Sequence, residues 1–150
     1  MLVHGTCVAL GPKAALLRGG SGAGKSDLAL RFLALPPERG LEPLLVADDQ
    51  VEVEVSGVGS LTASPPATLA GKIEVRGLGI LDVPHRASAS LVLAVDLVAP
   101  EIVPRMPPEN PEKVSIAGVL VPLLRLAPFE ASAPFKLKLA LLSARLQTRV

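Results

Sequence analysis

The chain has 150 residues, carries 15 basic and 14 acidic side chains, and has a formal net charge of +1 at pH 7. This balance argues against a nucleic-acid-binding surface or a polybasic membrane contact, and the lack of Trp and Tyr removes the rings on which single strands stack. The length is typical of one domain, so we predict a single domain over residues 1–150. No long apolar stretch is free of charge and proline, so we predict no membrane span.

Cys7 is the single cysteine of the chain, which excludes an internal disulfide framework and indicates a reducing compartment. The first residues lack the basic and apolar regions of a secretory signal. We therefore expect a cytoplasmic protein in which Cys7 is a buried structural thiol without a chemical role.

Short apolar runs separated by 15 prolines predict many short strands and few helices. The predicted strands span residues 6–10, 14–17, 44–47, 51–55, 60–63, 79–83, 91–95, 114–116 and 119–124. Residues 51–63 alternate apolar and polar side chains around a Ser-Gly pair, which predicts a half-exposed hairpin. The proline-rich segment 100–111 suits neither a helix nor a central strand, so we predict a long loop there.

The sequence predicts two helices. The first begins after a glycine-rich segment and ends before Pro36. The second spans about Pro134 to Gln147, with Ser132 available as its N-cap. We expect its apolar stripe to consist of Phe135, Leu137, Leu139, Leu142 and Leu146.

The glycine-rich segment between the second strand and the first helix is a complete G-x-x-x-x-G-K-S phosphate loop. Its residues are Gly19, Gly20, Ser21, Gly22, Ala23, Gly24, Lys25 and Ser26. Glycines let successive N–H groups turn toward an anion, Lys25 adds a positive charge, and the Ser26 hydroxyl can bind Mg²⁺. A helix N-terminus at this point adds further positive potential. The pattern predicts a site for the phosphates of a nucleoside triphosphate and Mg²⁺, as in a kinase.

Two adjacent acids, Asp48 and Asp49, follow the predicted strand 44–47. An acid in this position lies at a sheet edge, where Mg²⁺ and the γ-phosphate of a nucleotide would be. Side chains alternate along an extended chain, so the two carboxylates should point in different directions and do different work. One would hold a metal-bound water or the nucleophile, and the other would be structural or accept a proton. A simple Asp-Asp turn into the hairpin is the alternative.

The segment 73–83 carries a third signal. Glu74 and Arg76 are two residues apart and are followed by two glycines, which suits a metal ligand and a phosphate clamp. An ordinary surface strand and turn would explain the same spacing.

Four blocks together resemble the HPr kinase/phosphorylase family, bacterial enzymes that phosphorylate a serine of the phosphocarrier protein HPr and reverse that reaction. The blocks are His4-Gly5, the phosphate loop, Val46-Ala47-Asp48-Asp49, and the segment from Glu74 to Val83, in this order. The resemblance extends from His4 to about Val98, and more loosely to Arg105. It implies an α/β fold: a P-loop kinase domain, similar to PEP carboxykinase, with a mixed, strand-rich central sheet and few helices.

The resemblance also implies roles for single residues. The implied catalytic positions are Asp49, Asp48, His4, Lys25 and Arg105, and the implied metal ligands are Ser26 and Glu74. Within the acidic pair we favour Asp49 as proton acceptor, with Asp48 as the alternative. Arg105 lies in the proline-rich loop, and a plain surface arginine is an equal alternative there.

The chain departs from the family pattern at several points. Asp27 stands where the family has glutamate, the connection over residues 34–44 is longer, and no basic loop is recognisable over residues 124–134. The family's usual N-terminal domain is not expected, and whether phosphorolysis is retained stays open.

We predict an ATP-dependent, Mg²⁺-requiring serine kinase that acts on an HPr-like phosphocarrier and forms a homo-oligomer. A P-loop kinase for a small molecule is the alternative, and a nucleotide-binding module without turnover is a third.

Overall fold

The computed structural model describes residues 1–146 and contains, within them, eleven strands and two α-helices. The strands are β1 (Leu2–His4), β2 (Thr6–Leu10), β3 (Lys13–Arg18), β4 (Pro43–Ala47), β5 (Gln50–Val55), β6 (Leu61–Ser64), β7 (Lys72–Val75), β8 (Gly79–Asp82), β9 (Ala89–Leu97), β10 (Lys113–Ile116) and β11 (Val119–Leu126). The helices are α1 (Lys25–Leu33) and α2 (Ala133–Ser143). None of the helices in this part of the chain is long and apolar enough to cross a membrane.

Nine of the strands form one mixed sheet in the order β1-β5-β6-β9-β3-β2-β4, with β11 beside β9 and β10 beside β11. The long strand β9 lies at its centre, because its first residues pair with β6 and its last residues pair with β11 on the same side. Strands β7 and β8 form a separate hairpin. The predicted mixed, strand-rich sheet with few helices is confirmed.

Strands β3, β9 and β11 are parallel, with Leu16 opposite Ala94 and Leu124 opposite Val95. The carboxyl ends of parallel strands lie at one edge of a sheet, and this edge is where open α/β sheets bind ligands. The segments that begin at residues 19, 98 and 127 therefore start side by side. The phosphate loop is the first of these segments.

The sheet is buried on both faces, which explains its nearly continuous apolar strands. Along β2, Val8 points into a core that includes Phe32 of α1 and Leu137 of α2. Cys7 and Ala9, on either side of Val8, point into a second core. The buried residues of that second core all come from strands, so the sheet curves to enclose it. Side-chain alternation along each strand thus supplies both cores.

The predicted strands are found within two residues of their expected ends, but β1 and β7 were not predicted. Both are short, with three and four residues, and short runs give a weak periodic signal. The first helix begins at Lys25, before the apolar pattern starts. The loop over residues 100–111 contains a single-turn 3₁₀ helix at Pro100–Ile102 and is otherwise irregular.

The predicted apolar stripe of α2 is largely wrong. The helix buries Ala133, Leu137 and Leu141, which are four residues apart, while Phe135 and Leu139 are exposed. The helix is apolar on nearly every side, so the sequence pattern could not select the buried face. Ser132 occupies the N-cap position, but its hydroxyl makes no capping hydrogen bond. The predicted end at Gln147 lies outside the described residues.

Candidate active site

An open cavity of about 770 Å³ lies over the phosphate loop, and we call it the polar cavity. Its walls come from β1, β2, the phosphate loop, α1, the turn after β4, the β7–β8 hairpin and the segment after β11. Nine site residues predicted from the sequence line it: His4, Ser21, Gly22, Gly24, Lys25, Ser26, Asp48, Asp49 and Glu74. The tertiary structure thus brings together all four sequence blocks, which lie apart along the chain.

The phosphate loop is curled by glycines in left-handed conformation, with φ of 81° at Gly22 and 98° at Gly24. Other residue types adopt such angles only with strain. Lys25 is only 8% exposed, and its Nζ donates hydrogen bonds to the carbonyl oxygens of Gly19 at 2.8 Å and Gly20 at 2.9 Å. The ammonium group is therefore held across the loop, beside the first free N–H groups of α1.

Asp48 is fixed by hydrogen bonds from three different elements. Its Oδ1 accepts from the hydroxyls of Thr6 and Ser26, both at 2.9 Å, and its Oδ2 accepts from the backbone N–H of Glu74 at 3.1 Å. The residue is half-buried. These bonds join β2, α1 and β7 at one carboxylate, so Asp48 holds the three elements together.

Asp49 has a different environment, although it is the next residue. Its side chain is 72% exposed, and its Oδ1 lies 3.5 Å from Nδ1 of His4. The backbone at Asp49 has φ of 69°, in the left-handed region that Asp tolerates better than most residues. This turn, rather than strand alternation, directs the two carboxylates apart. The carbonyl of Asp49 accepts a 3.0 Å hydrogen bond from the N–H of Gly5, which ties it to the His-Gly segment.

The β7–β8 hairpin carries Glu74 and Arg76 to the wall of the polar cavity. Its turn contains Gly77 and Gly79 with φ of 89° and 93°. At the open end of the hairpin, Lys72 and Asp82 form a 2.6 Å ion pair. The hydrogen bond from Lys72, together with its charge, lowers the pKa of Asp82.

The oxygen donors at the polar cavity suit Mg²⁺. The Ser26 hydroxyl and the carboxylates of Asp48 and Glu74 are hard ligands that line one cavity. Residues 1–146 contain no cluster of three or more His, Cys, Asp or Glu side chains that could hold a metal by themselves. Mg²⁺ usually retains waters and binds through one or two protein ligands and substrate phosphates, so this sparse donor set fits it.

Some predicted residues lie elsewhere. Arg105 is on an exposed bend of the proline-rich loop and is not among the lining residues of the polar cavity, so its catalytic role stays a prediction. In the loop itself, Ala23 faces a second cavity. Cys7 is fully buried, and burial raises the pKa of its thiol, which agrees with a structural role.

The sequence analysis did not identify Thr6 and Phe129 as residues of the polar cavity. Thr6 donates to Asp48, and the signal for it was a polar residue at the start of an otherwise apolar strand. Phe129 lines the polar cavity from the segment after β11. No sequence pattern marked Phe129, because only the parallel pairing of β11 with β9 brings its segment to the phosphate loop.

Residues 1–99 of the chain match the sequence model of the HPr Serine kinase C-terminal domain. The chain belongs to this family. The match ends close to Val98, beyond which the resemblance in the sequence is looser. It covers β1 to β9, and therefore all nine of the predicted site residues that line the polar cavity.

Individual members of the family are also similar to this chain in sequence. The HPr kinase/phosphorylase of Streptococcus thermophilus is 34% identical over 134 residues, covering 83% of this chain and 41% of the relative. That of Clostridium tetani is 40% identical over 97 residues, covering 64% of this chain and 29% of the relative. The chain thus spans well under half the length of these curated relatives.

A solved structure shares the fold. The Hpr(Ser) kinase/phosphatase from Coxiella burnetii superposes with a TM-score of 0.74 at 26% sequence identity. The similarity covers 93% of this chain and 87% of that one. The structural likeness therefore extends past residue 99, to the segments around β10, β11 and α2.

Proposed function

We propose that this protein is an ATP-dependent, Mg²⁺-requiring kinase that phosphorylates a serine of an HPr-like phosphocarrier protein. The observation that carries the proposal is the division of labour between two adjacent carboxylates. Asp48 is bound to the loop serine Ser26, whereas Asp49 is exposed beside His4 at the same cavity. One acid is thus placed to organise the nucleotide end of the site, and the other is free to exchange a proton.

In the proposed reaction, Asp49 accepts the proton of the attacking serine hydroxyl. The serine oxygen forms a bond to the γ-phosphorus as the bond between that phosphorus and its bridging oxygen breaks, and ADP leaves. His4 lies near Asp49 and helps to orient its carboxylate. In the reverse direction, an oxygen of inorganic phosphate would form a bond to the phosphorus of phosphoserine as the bond from that phosphorus to the serine oxygen breaks. The same carboxyl group would return the proton to the serine oxygen, and pyrophosphate would leave.

Lys25 and the loop N–H groups bind and orient the nucleotide phosphates in this proposal. Ser26, Asp48 and Glu74 would hold Mg²⁺, which when bound neutralises charge on the β- and γ-phosphate oxygens. Arg76 lines the same cavity and is available as a further positive charge. Arg105 remains a proposed catalytic arginine on grounds of the family resemblance alone.

The rim of the polar cavity supports a protein acceptor over a small molecule. Leu78 is 71% exposed and Ile80 is 70% exposed, both on the hairpin that carries Glu74. Exposed apolar side chains beside a site are typical of protein contacts. The curated relatives are named for HPr, so we propose an HPr-like phosphocarrier as the acceptor.

We also propose that the protein is cytoplasmic and forms a homo-oligomer. The exposed apolar side chains of Phe135 and Leu139 on α2 support a contact between copies of the chain.

The test is transfer of label from γ-labelled ATP to purified HPr-like phosphocarriers in the presence of Mg²⁺. A phosphocarrier whose acceptor serine is replaced by alanine is the substrate control, and Asp49→Asn is the enzyme control. We expect serine labelling by the natural chain only. Failure to label any phosphocarrier, together with turnover of a small metabolite, would establish the small-molecule alternative instead.

A second experiment addresses the metal. Ser26→Ala should remove the Mg²⁺ dependence of nucleotide binding, as measured by isothermal titration calorimetry with and without Mg²⁺. Ser21→Ala, at an exposed position in the same loop, is the matched control and should keep that dependence. Unchanged Mg²⁺ dependence in Ser26→Ala would remove Ser26 from the metal site.

A further inference from the structure

A second cavity of about 540 Å³ lies on the other side of the phosphate loop, and we call it the apolar cavity. It is lined by Ala23 of the loop and by the segments 97–100 and 127–130. These segments follow β9 and β11, the two strands that are parallel to the strand before the loop. The apolar cavity is therefore built from three neighbouring strand ends at the ligand-binding edge of the sheet.

The walls of this cavity are almost entirely apolar. Its lining side chains are Ala, Leu, Val, Pro and Phe, apart from Glu130. The carboxylate of Glu130 is engaged by Lys136 at 3.1 Å. Such walls suit a flat apolar group rather than phosphate, metal or a charged acceptor.

Phe129 joins the two cavities, because it lines both of them. Its ring is 70% exposed, although its edge packs against the loop: a Cβ built on Gly24 would lie 2.9 Å from Cζ of the ring. Arg31 of α1 anchors the segment on either side of the ring by donating to the carbonyl oxygens of Pro128 and Glu130. The structure thus holds an open aromatic face directly beside the phosphate loop.

We propose that the apolar cavity is the subsite for the nucleobase of the bound nucleotide, with Phe129 as its stacking surface. The inference rests on the proposed function only in that it needs a nucleotide on the phosphate loop. A nucleotide whose phosphates lie on the loop must place its base to one side. The polar cavity is lined by the acidic groups, beside which the proposed acceptor would bind, and the apolar cavity offers the aromatic and aliphatic walls that bases prefer.

The first test compares two ligands that differ in the base. Binding of ATP and of inorganic tripolyphosphate, each with Mg²⁺, is measured by calorimetry for the natural chain and for Phe129→Ala. We expect Phe129→Ala to weaken ATP binding about tenfold or more, which is the size of one lost stacking contact, and to change tripolyphosphate binding less than twofold. Equal weakening of both ligands, or no change in ATP binding, would overturn the proposal.

Phe135→Ala is the matched control for the first test. Phe135 is also an exposed phenylalanine, but it lies on α2 and lines neither cavity. We expect its removal to leave the binding of both ligands unchanged. Because the readout is binding, a chain that binds ATP through Phe129 and yet labels no phosphocarrier would contradict the proposed function and leave this proposal standing.

The second test locates the base directly. Photolabelling with 8-azido-ATP is followed by tryptic digestion, which separates residues 126–136 and 87–105 from the hairpin peptide 77–86. We expect the label in one or both of the first two peptides, and its loss when excess ATP is present. Label that is protected by ATP and lies in residues 77–86 would place the base in the polar cavity and overturn the proposal.

Discussion

The hydroxyl of Ser26 donates a 2.9 Å hydrogen bond to the Oδ1 atom of Asp48. This bond joins the first turn of α1 to the residue that follows β4. The same carboxylate also accepts from Thr6 and from the N–H of Glu74. The phosphate loop and the metal-binding hairpin of the proposed site are therefore linked through one side chain.

Replacing this carboxylate should destabilise the protein. Both carboxylate oxygens of Asp48 accept hydrogen bonds, but the asparagine in Asp48→Asn has only one side-chain oxygen that can accept. At least one donor among Thr6, Ser26 and Glu74 therefore loses its partner. A lost hydrogen bond to a charged group costs about 1.5–3 kcal/mol. We expect the free energy of unfolding, measured by urea denaturation, to fall by about that amount.

Asp49→Asn is the matched control for this prediction. Asp49 is exposed, and Asn adopts its left-handed conformation readily, so the free energy of unfolding should stay within about 0.5 kcal/mol of the natural value. Phosphotransfer should nevertheless fall by about 10²–10⁴-fold, since the proton acceptor is lost. A stable Asp48→Asn variant beside an unstable Asp49→Asn variant would contradict the division of labour.

Gly5 is required by close packing as well as by its place beside His4. A Cβ on this residue would lie 2.8 Å from the carbonyl oxygen of Leu17 and 2.8 Å from Cδ1 of Leu16. Gly5→Ala should therefore lower the free energy of unfolding by about 1–3 kcal/mol, measured by thermal or urea denaturation. Gly57→Ala is the control: no atom lies within 4 Å of its Cβ position, and we expect a change within about 0.5 kcal/mol.

The ion pair between Lys72 and Asp82 predicts a dependence on acid pH. The hydrogen bond and charge of Lys72 hold the pKa of Asp82 below its ordinary value of 3.8 in the folded protein. The stabilisation is therefore complete above that ordinary pKa and is lost as the pH falls through the lower, folded-state pKa. A carboxyl-carbon NMR titration should give a midpoint below 3.8 in the natural chain and a higher midpoint in Lys72→Met. The same midpoint in both chains would show that Lys72 is not the cause.

Arg18 and Asp96 connect β3 and β9 next to the phosphate loop. The guanidinium Nε lies 2.7 Å from Oδ1 and Nη2 lies 3.3 Å from Oδ2, so the pair is bidentate. The single ammonium group of a lysine in Arg18→Lys cannot make the same two parallel hydrogen bonds to the Asp96 carboxylate. A double-mutant cycle of Arg18→Lys and Asp96→Asn, followed by urea denaturation, should give a coupling energy of about 0.5–1 kcal/mol, because the pair is partly exposed. Additive effects would show that the contact contributes nothing.

Much of the site could be predicted from the sequence because its parts are local. The phosphate loop, the acidic pair after β4 and the Glu74 segment are each continuous blocks whose chemistry depends on nearest neighbours. Most strands also followed from their apolar runs. The short strands β1 and β7 and the buried face of α2 could not be predicted, since their positions depend on what packs against them.

The sequence by itself predicted the phosphate loop, because the spacing of its glycines, lysine and serine defines it, and the four blocks together indicated the family. Only the tertiary structure decided how the two acids of the proposed site differ in their surroundings. A left-handed turn at Asp49 separates it from Asp48, and the contacts of Thr6, Ser26 and Glu74 fix which acid is held. Likewise, Phe129 reaches the loop because β9 pairs with both β3 and β11, which no local pattern encodes.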